Sequence, residues 1–149
     1  MLVRLSIVVL ALVGLADAFY FTVAYYGRSG PARWMPEILC PREGSSCVTV
    51  VRTPYARVFG VPNSLLGMLY YLAVLVWVLL APRHSSSPDN FYRAFEMAGV
   101  LLLGASLFAA VFGFYLVHAL RRVLHTHCPL CYAAHAVNIM LLVLLPFVT

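Results

Sequence analysis

The chain has 149 residues, of which 63% are hydrophobic and 10% are charged. Soluble domains are about half apolar and about a quarter charged, so this composition excludes an ordinary soluble domain and indicates an integral membrane protein. The formal net charge is +5, and the arginines are scattered through the connecting segments. We therefore expect a basic membrane surface in contact with the lipid bilayer, and no nucleic-acid partner.

Four apolar stretches are long enough to cross about 30 Å of hydrocarbon, which takes roughly 20 residues of helix. Because backbone groups in lipid must be paired within their own segment, each stretch is predicted to be an α-helix. The predicted helices cover residues 5–26, 62–81, 95–120 and 129–148. We expect one domain over residues 1–149, all-α, an integral membrane bundle of four transmembrane helices. A long cysteine-bearing loop at 27–61 is expected to fold over its end.

The first apolar stretch has a second interpretation. Arg4, a short apolar run and the A-D-A sequence at residues 16–18 resemble a signal peptide with its cleavage site. The apolar run continues to Ala24, which is too long for a signal core and favours a membrane helix. Asp17 lies in this run, and an ionisable residue inside a membrane span is a functional candidate. The alternative is that Asp17 faces water or an arginine near the end of its helix.

The four cysteines are predicted to lie on one face of the membrane. Cys40 and Cys47 belong to the loop between helices 1 and 2, and Cys128 and Cys131 follow the connection between helices 3 and 4. Two spans separate these connections, so both reach the same face. Two thiol pairs at one surface suggest a protein that passes electrons from one pair to the other.

The orientation of this face is left open by the sequence. Arginines near the cysteines outnumber those near the opposite face, and arginine-rich short loops usually stay in the cytoplasm. Stable disulfides favour an extracytoplasmic face instead, except in hyperthermophiles. We expect a multi-pass protein of the cell membrane whose cysteines face either the cytoplasm or the outside.

The spacing of Cys128 and Cys131 is typical of a redox-active pair. Residues three apart share one face of a helix and are close enough to form a disulfide. Pro129 favours the first helical position, which makes Cys128 the predicted N-cap of helix 4. The partial positive charge at a helix N-terminus favours the thiolate, which is the nucleophile.

A polar stripe continues this face of helix 4 into the membrane. It comprises Cys128, Cys131, His135 and Asn138. Polar residues in an apolar span are expected to face the bundle interior, where these would line a cavity for a lipophilic ligand with carbonyl groups. The alternative is that His135 and Asn138 only hydrogen-bond neighbouring helices.

The loop pair, Cys40 and Cys47, is predicted to reach a soluble partner and the C-x-x-C pair in turn by thiol–disulfide exchange. One alternative is a non-catalytic membrane scaffold in which four thiolates hold zinc, although the loop spacing is long for a zinc site. The other is a pair of inert disulfides, but a C-x-x-C disulfide closes too small a loop to add much stability.

Several segments in combination indicate a protein family far more specifically than the C-x-x-C alone does. They are the loop pair Cys40 and Cys47, the F-G-V-P-N-S-L-L-G sequence at residues 59–67, Tyr115–Leu116, and the C-P-L-C sequence at residues 128–131. Together they resemble the vitamin K epoxide reductase family in its stand-alone prokaryotic form, over nearly the whole chain. A second bacterial family of quinone-reducing, disulfide-forming enzymes is also a four-helix bundle, but its C-x-x-C lies in the first exposed loop.

This resemblance implies a membrane thiol:quinone oxidoreductase that generates disulfides. Cys128 and Cys131 would be the active-site pair, with Cys131 reacting with a quinone such as ubiquinone, menaquinone or a relative. Cys47 would exchange with Cys128, and Cys40 with a thioredoxin-like soluble protein. We expect no fused thioredoxin-like domain of the kind that many bacterial relatives carry, so this partner is expected to be a separate chain.

The resemblance also implies a quinone site. Asn63 would hydrogen-bond a quinone carbonyl and stabilise the charge that develops there. The remaining implied contacts are Phe59, Leu66, Thr53 and His135. Thr53 stands where the family often has serine and can still orient the loop. His135 stands where animal members have tyrosine, which favours a plain quinone over an epoxide as substrate.

Overall fold

The structure, a computed structural model, describes residues 1–26, 46–58, 60–80 and 89–148. Its helices are α1 (Leu2–Tyr25), α2 (Ser46–Val51), α3 (Asn63–Leu80), α4 (Asp89–Arg122) and α5 (Pro129–Leu144). Short 3-10 turns cover Pro54–Ala56 and Leu145–Phe147. A small antiparallel hairpin pairs β1 (Arg57–Val58) with β2 (Val61–Pro62).

The predicted membrane helices are present. Within the described residues, 4 helical segments are long and apolar enough to cross a membrane: Leu2–Tyr25, Asn63–Leu80, Tyr92–Arg122 and Pro129–Phe147. This confirms the all-α bundle of four spans. The third span differs at its start, because α4 begins at Asp89 rather than near residue 95. Hydropathy alone does not reveal helical turns that lie outside the apolar run.

The middle of the bundle depends on a close approach of two helices. α1 packs against α3 and α5, and α4 packs mainly against α5. Gly14 of α1 makes room for the ring of Tyr71, since a Cβ at that position would overlap the ring. The Tyr71 hydroxyl donates a 2.8 Å hydrogen bond to Asn138 Oδ1 on α5. Tyr71 therefore connects α1, α3 and α5.

A cluster of buried apolar side chains closes the end of the bundle at which α5 begins. Val51 of α2 packs there with Phe21, Leu120, Cys128 and Leu130. The described part of the long loop therefore covers this end, as predicted. Unlike the irregular loop predicted from sequence, this part contains a helix, a 3-10 turn and a hairpin.

The hairpin explains one glycine in the loop. Gly60, between β1 and β2, has a φ of 83°, a left-handed conformation that glycine adopts without steric cost. The turn brings Val58 opposite Val61 and returns the chain to the start of α3.

Candidate functional site

The N-terminus of α5 presents the C-x-x-C pair. Cys128 is the N-cap residue, and its Sγ accepts a 3.3 Å hydrogen bond from the backbone N–H of Cys131. Pro129 occupies the first helical position. Both sequence predictions for this turn are confirmed. The two cysteines form a disulfide, with their Cα atoms 5.3 Å apart.

The connection between α4 and α5 fixes the position of this turn. The backbone N–H of Thr126 donates to the carbonyl oxygen of Leu120 at 3.1 Å. His125 has a φ of 48°, a left-handed conformation in which histidine is enriched, and so turns the chain sharply. The Arg121 guanidinium lies 5.3 Å from the centroid of the Tyr132 ring, which links the end of α4 to the first turn of α5.

The two cysteines have different surroundings. Cys128 is fully buried in the cluster that includes Val51 of α2. Cys131 is partly buried and lines a cavity of about 350 Å³. One sulfur of the pair therefore lies beneath the loop, and the other borders an internal space of the size that small-molecule sites occupy.

The cavity is largely apolar and lies between the four long helices. α4 contributes a stripe at helical spacing that comprises Ala105, Phe108, Ala109, Phe112 and Leu116. The rings of Phe108 and Phe112 are stacked, with centroids 5.8 Å apart. Such walls suit a lipophilic ligand with a planar ring.

A few polar atoms face this apolar space. Asp17, Asn63 and His135 all line the cavity. Within the described part of the chain, Asp17 Oδ1, Asn63 Oδ1 and His135 Nδ1 are buried without a hydrogen-bond partner. Buried polar atoms nearly always have a partner, so these three fit a ligand that carries polar atoms of its own. A quinone has an apolar ring and carbonyl oxygens that can accept from an N–H at His135 Nδ1 or from an O–H of Asp17, and the hydroxyl groups of the reduced hydroquinone can donate to Asn63 Oδ1.

Asn63 also holds the loop in place. It is the first residue of α3, and its Nδ2 donates a 2.8 Å hydrogen bond to the carbonyl oxygen of Tyr55 in the 3-10 turn. An amide nitrogen carries two N–H donors, so one remains for a ligand. Asn63 is thus in contact with both the loop and the cavity.

His135 and Asn138 continue the polar stripe on α5. His135 packs against Gly113 of α4, where a Cβ would lie 2.6 Å from the imidazole Nδ1. Asn138 lines the cavity and also accepts the hydrogen bond from Tyr71. The alternative considered from sequence was a hydrogen bond to a neighbouring helix. Asn138 makes such a bond, whereas His135 Nδ1 makes none within the described residues.

Several of the predicted site residues meet at this cavity: Cys131, Asn63, Leu66 and His135. Thr53 is not on its wall, because its hydroxyl donates a 2.7 Å hydrogen bond to the carbonyl oxygen of Val50 within the loop. Cys40 and Phe59 lie outside the described residues. For Cys47 the structure describes only a backbone position in α2.

Other cavity residues were not predicted from sequence. Tyr55, Tyr70 and Tyr71 all line the space. A signal for the two on α3 exists in the sequence. Tyr71 lies four residues after Gly67, and Tyr70 lies four residues after Leu66, so both share a helix face with predicted or neighbouring cavity residues.

A model of a known protein family matches the chain. The model of the Vitamin K epoxide reductase family matches residues 5–145, nearly the whole chain. The chain belongs to this family. Proteins of the Vitamin K epoxide reductase family are membrane helical bundles and are generally quinone-linked disulfide oxidoreductases. With its four apolar helices, this member is a multi-pass membrane protein. No curated protein is significantly similar to the chain.

The alternative function, a zinc site with four thiolate ligands, can be compared with the described residues. Among the described residues, no three His, Cys, Asp or Glu side chains form a group that could hold a metal ion. A four-thiolate site would also need Cys40 and the side chain of Cys47, which lie outside those residues. Two of its four ligands, Cys128 and Cys131, are joined in a disulfide in this structure.

The contact between Gly113 and His135 leads to a test of the cavity. Gly113→Ala is expected to raise KM for a quinone about tenfold, which corresponds to roughly 1.4 kcal/mol of overpacking. The added Cβ would force a shift of the imidazole, which lines the ligand space. The matched control is Gly104→Ala on the same helix, where a Cβ meets no atom within 4 Å. Equal KM values for the two variants would contradict a ligand site beside His135.

Proposed function

We propose that this protein is a membrane thiol:quinone oxidoreductase that generates disulfides. Electrons pass from a reduced thioredoxin-like protein, supplied as a separate chain, to Cys40 and Cys47. They continue to Cys128 and Cys131 and finally to a membrane quinone. One observation carries the proposal: Cys131, half of a disulfide, borders an apolar cavity with buried polar atoms that have no hydrogen-bond partner among the described residues.

The exchange between the two pairs follows from thiol–disulfide chemistry. The Cys47 thiolate attacks Cys128 Sγ, so a mixed disulfide forms and Cys131 leaves as a thiolate. The Cys40 thiolate then attacks Cys47 Sγ, which closes the loop disulfide and releases Cys128. The burial of Cys128 under the cluster that contains Val51, four residues after Cys47, supports this choice of sulfur.

The electron-accepting step takes place at the cavity. A bound quinone supplies an acceptor for two electrons and two protons. Asn63 and His135 would hold its oxygens through their side-chain nitrogens, and the α4 stripe would enclose its ring. The Cys128–Cys131 disulfide re-forms as the electrons leave, which returns the pair to the state in this structure.

The direct test follows quinone absorbance in detergent-solubilised protein with a dithiol such as dithiothreitol. We expect the quinone band to disappear at a rate proportional to protein concentration. A variant of the loop pair, Cys47→Ala, should keep part of this activity, because a small dithiol can reach the active-site pair without the loop. No protein-dependent loss of quinone would contradict the proposal.

The four cysteines are proposed to share one membrane face. Val51 of α2 and Cys128 pack in one cluster, which supports this arrangement. A membrane-impermeant thiol reagent applied to intact cells after mild reduction reports the orientation. Labelling of Cys40 indicates an extracytoplasmic relay, and labelling only after lysis indicates a cytoplasmic one.

A further inference from the structure

An acidic side chain lies at membrane depth on α1. Asp17 is eight residues before Tyr25, the last residue of α1, so it lies about 12 Å along the helix from that end. It lines the same cavity as Cys131, and its Oδ1 is buried without a partner in the described part of the chain. Ionisable residues inside membrane spans are costly and typically mark ion, proton or substrate pathways. The exchange of thiols described above makes no use of this carboxyl group.

Tyr71 places Asp17 beside the polar stripe of α5. Gly14 and Asp17 are three residues apart and share one face of α1. The Tyr71 ring rests on Gly14, and its hydroxyl bonds Asn138. Asn138 in turn lies three residues below His135 on α5. One side of the cavity is therefore polar along its length, from Asp17 at the deep end towards Cys131.

The proposed function needs protons as well as electrons at this depth. A 1,4-quinone carries its two carbonyl oxygens at opposite ends of the ring, so one group cannot serve both of them. Asn63, at the first turn of α3, lies near the cysteine end of the cavity. Asn63 can donate a hydrogen bond but cannot give up a proton, whereas a carboxylic acid can do both.

We propose that Asp17 is the proton donor to the quinone oxygen at the deep end of the cavity, an assignment that rests on the proposed function. The O–H bond of the Asp17 carboxylic acid breaks and an O–H bond of the hydroquinone forms as electrons leave Cys131. Oxidation of the Cys128–Cys131 dithiol releases two protons and two electrons. Both electrons enter the quinone. One of the two protons released by the dithiol protonates the quinone oxygen at the cysteine end, and the other travels along the polar side of the cavity and returns to Asp17.

Asp17→Asn keeps the size of the side chain but removes its acidic proton. We expect quinone reduction in a single turnover to slow about 10²-fold, the scale of general acid catalysis, while KM for the quinone stays within about twofold. Reduction of the Cys128–Cys131 disulfide by dithiothreitol without quinone, followed by alkylation, should keep its wild-type rate. Asp17→Glu should recover much of the lost rate, because it restores the acid.

Infrared difference spectra give a readout independent of turnover. Reduction of wild-type protein loaded with a soluble quinone should produce a carboxylic acid C=O signal that Asp17→Asn lacks. The matched control is Ser106→Ala, which removes a buried hydroxyl that bonds Tyr70 and is not on the cavity wall. Its rate and its carboxyl signal should be those of the wild type.

Three results would overturn the assignment. They are a wild-type rate in Asp17→Asn, an unchanged carboxyl signal in that variant, and an equal slowing of the quinone-free reduction by dithiothreitol, which would make the role of Asp17 structural. These outcomes differ from failure of the proposed function, in which the wild-type protein itself reduces no quinone. If Asp17→Asn does not fold, the infrared signal of Asp17→Glu decides. A carboxylic acid C=O band at a different frequency from the wild-type band supports the assignment, and a band identical to that of the wild type overturns it.

Discussion

Cys131→Ala is expected to lower dithiol-dependent quinone reduction to the uncatalysed rate. Cys131 is the cysteine of the disulfide that lines the cavity, so its loss removes the sulfur next to the proposed site of the electron acceptor. The thiolate is the reactive form of cysteine, and alanine offers no substitute. The measurement is quinone absorbance against time with dithiothreitol as the reductant. Full activity in this variant would rule out electron transfer through the Cys128–Cys131 pair.

The matched control removes a cysteine with a different role. Cys40→Ala should retain activity with small dithiols, which can reduce the active-site pair directly, but lose it with a reduced thioredoxin-like protein. Equal losses with both reductants would show that Cys40 is not confined to exchange with the protein partner.

Asn63→Ala is expected to lower kcat for quinone reduction by about 10²-fold, the scale for loss of one donor to a developing oxyanion. The side chain lines the cavity and has one N–H left after its bond to the Tyr55 carbonyl oxygen. The measurement is kcat and KM with a soluble quinone and a small dithiol, which makes the protein partner unnecessary.

A control variant and a second measurement separate the contact of Asn63 with the cavity from its contact with the loop. Thr22→Val removes the 3.0 Å hydrogen bond from Thr22 Oγ1 to Ser64 Oγ between α1 and α3, and should leave kcat unchanged because Thr22 is not on the cavity wall. Hydrogen exchange of the backbone over residues 54–58 reports the loop contact. Faster exchange with an unchanged kcat in Asn63→Ala would assign this residue to the loop alone.

The membrane helices and the first turn of α5 could be predicted from sequence because each depends on local rules. Hydropathy and length define the spans. The order Cys128, Pro129 then defines an N-cap and a first helical residue, and the structure has both. The polar stripe below this turn also follows from helical period alone, and His135 and Asn138 do line the cavity.

Features that depend on packing between helices could not be predicted in the same way. Asp17 was ambiguous because its neighbour across the helix interface, Tyr71, is far away in sequence. Asn63 was expected to face a ligand, and its bond to Tyr55 depends on a 3-10 turn that has no clear sequence pattern. Thr53 was expected near the ligand, and only the fold of the loop directs its hydroxyl to Val50 instead.

The different surroundings of the two cysteines separate the donor and acceptor sides of the proposed reaction. Cys128 lies beneath α2, whereas Cys131 borders the cavity. A thiol that approaches from the loop therefore meets one sulfur, and an acceptor in the bundle meets the other. This separation disfavours direct reduction of the acceptor by the loop pair, Cys40 and Cys47.

The α4 side of the cavity is only one aromatic layer thick. Phe108 lines the cavity, yet 63% of its surface is exposed on the outside of the bundle, where acyl chains would lie. A lipophilic quinone that enters through this side arrives by lateral diffusion in the bilayer. Its effective concentration is therefore its mole fraction in the lipid. Apparent Michaelis constants measured in micelles should consequently scale with the amount of detergent added, even when the total amount of quinone in the cuvette is held constant.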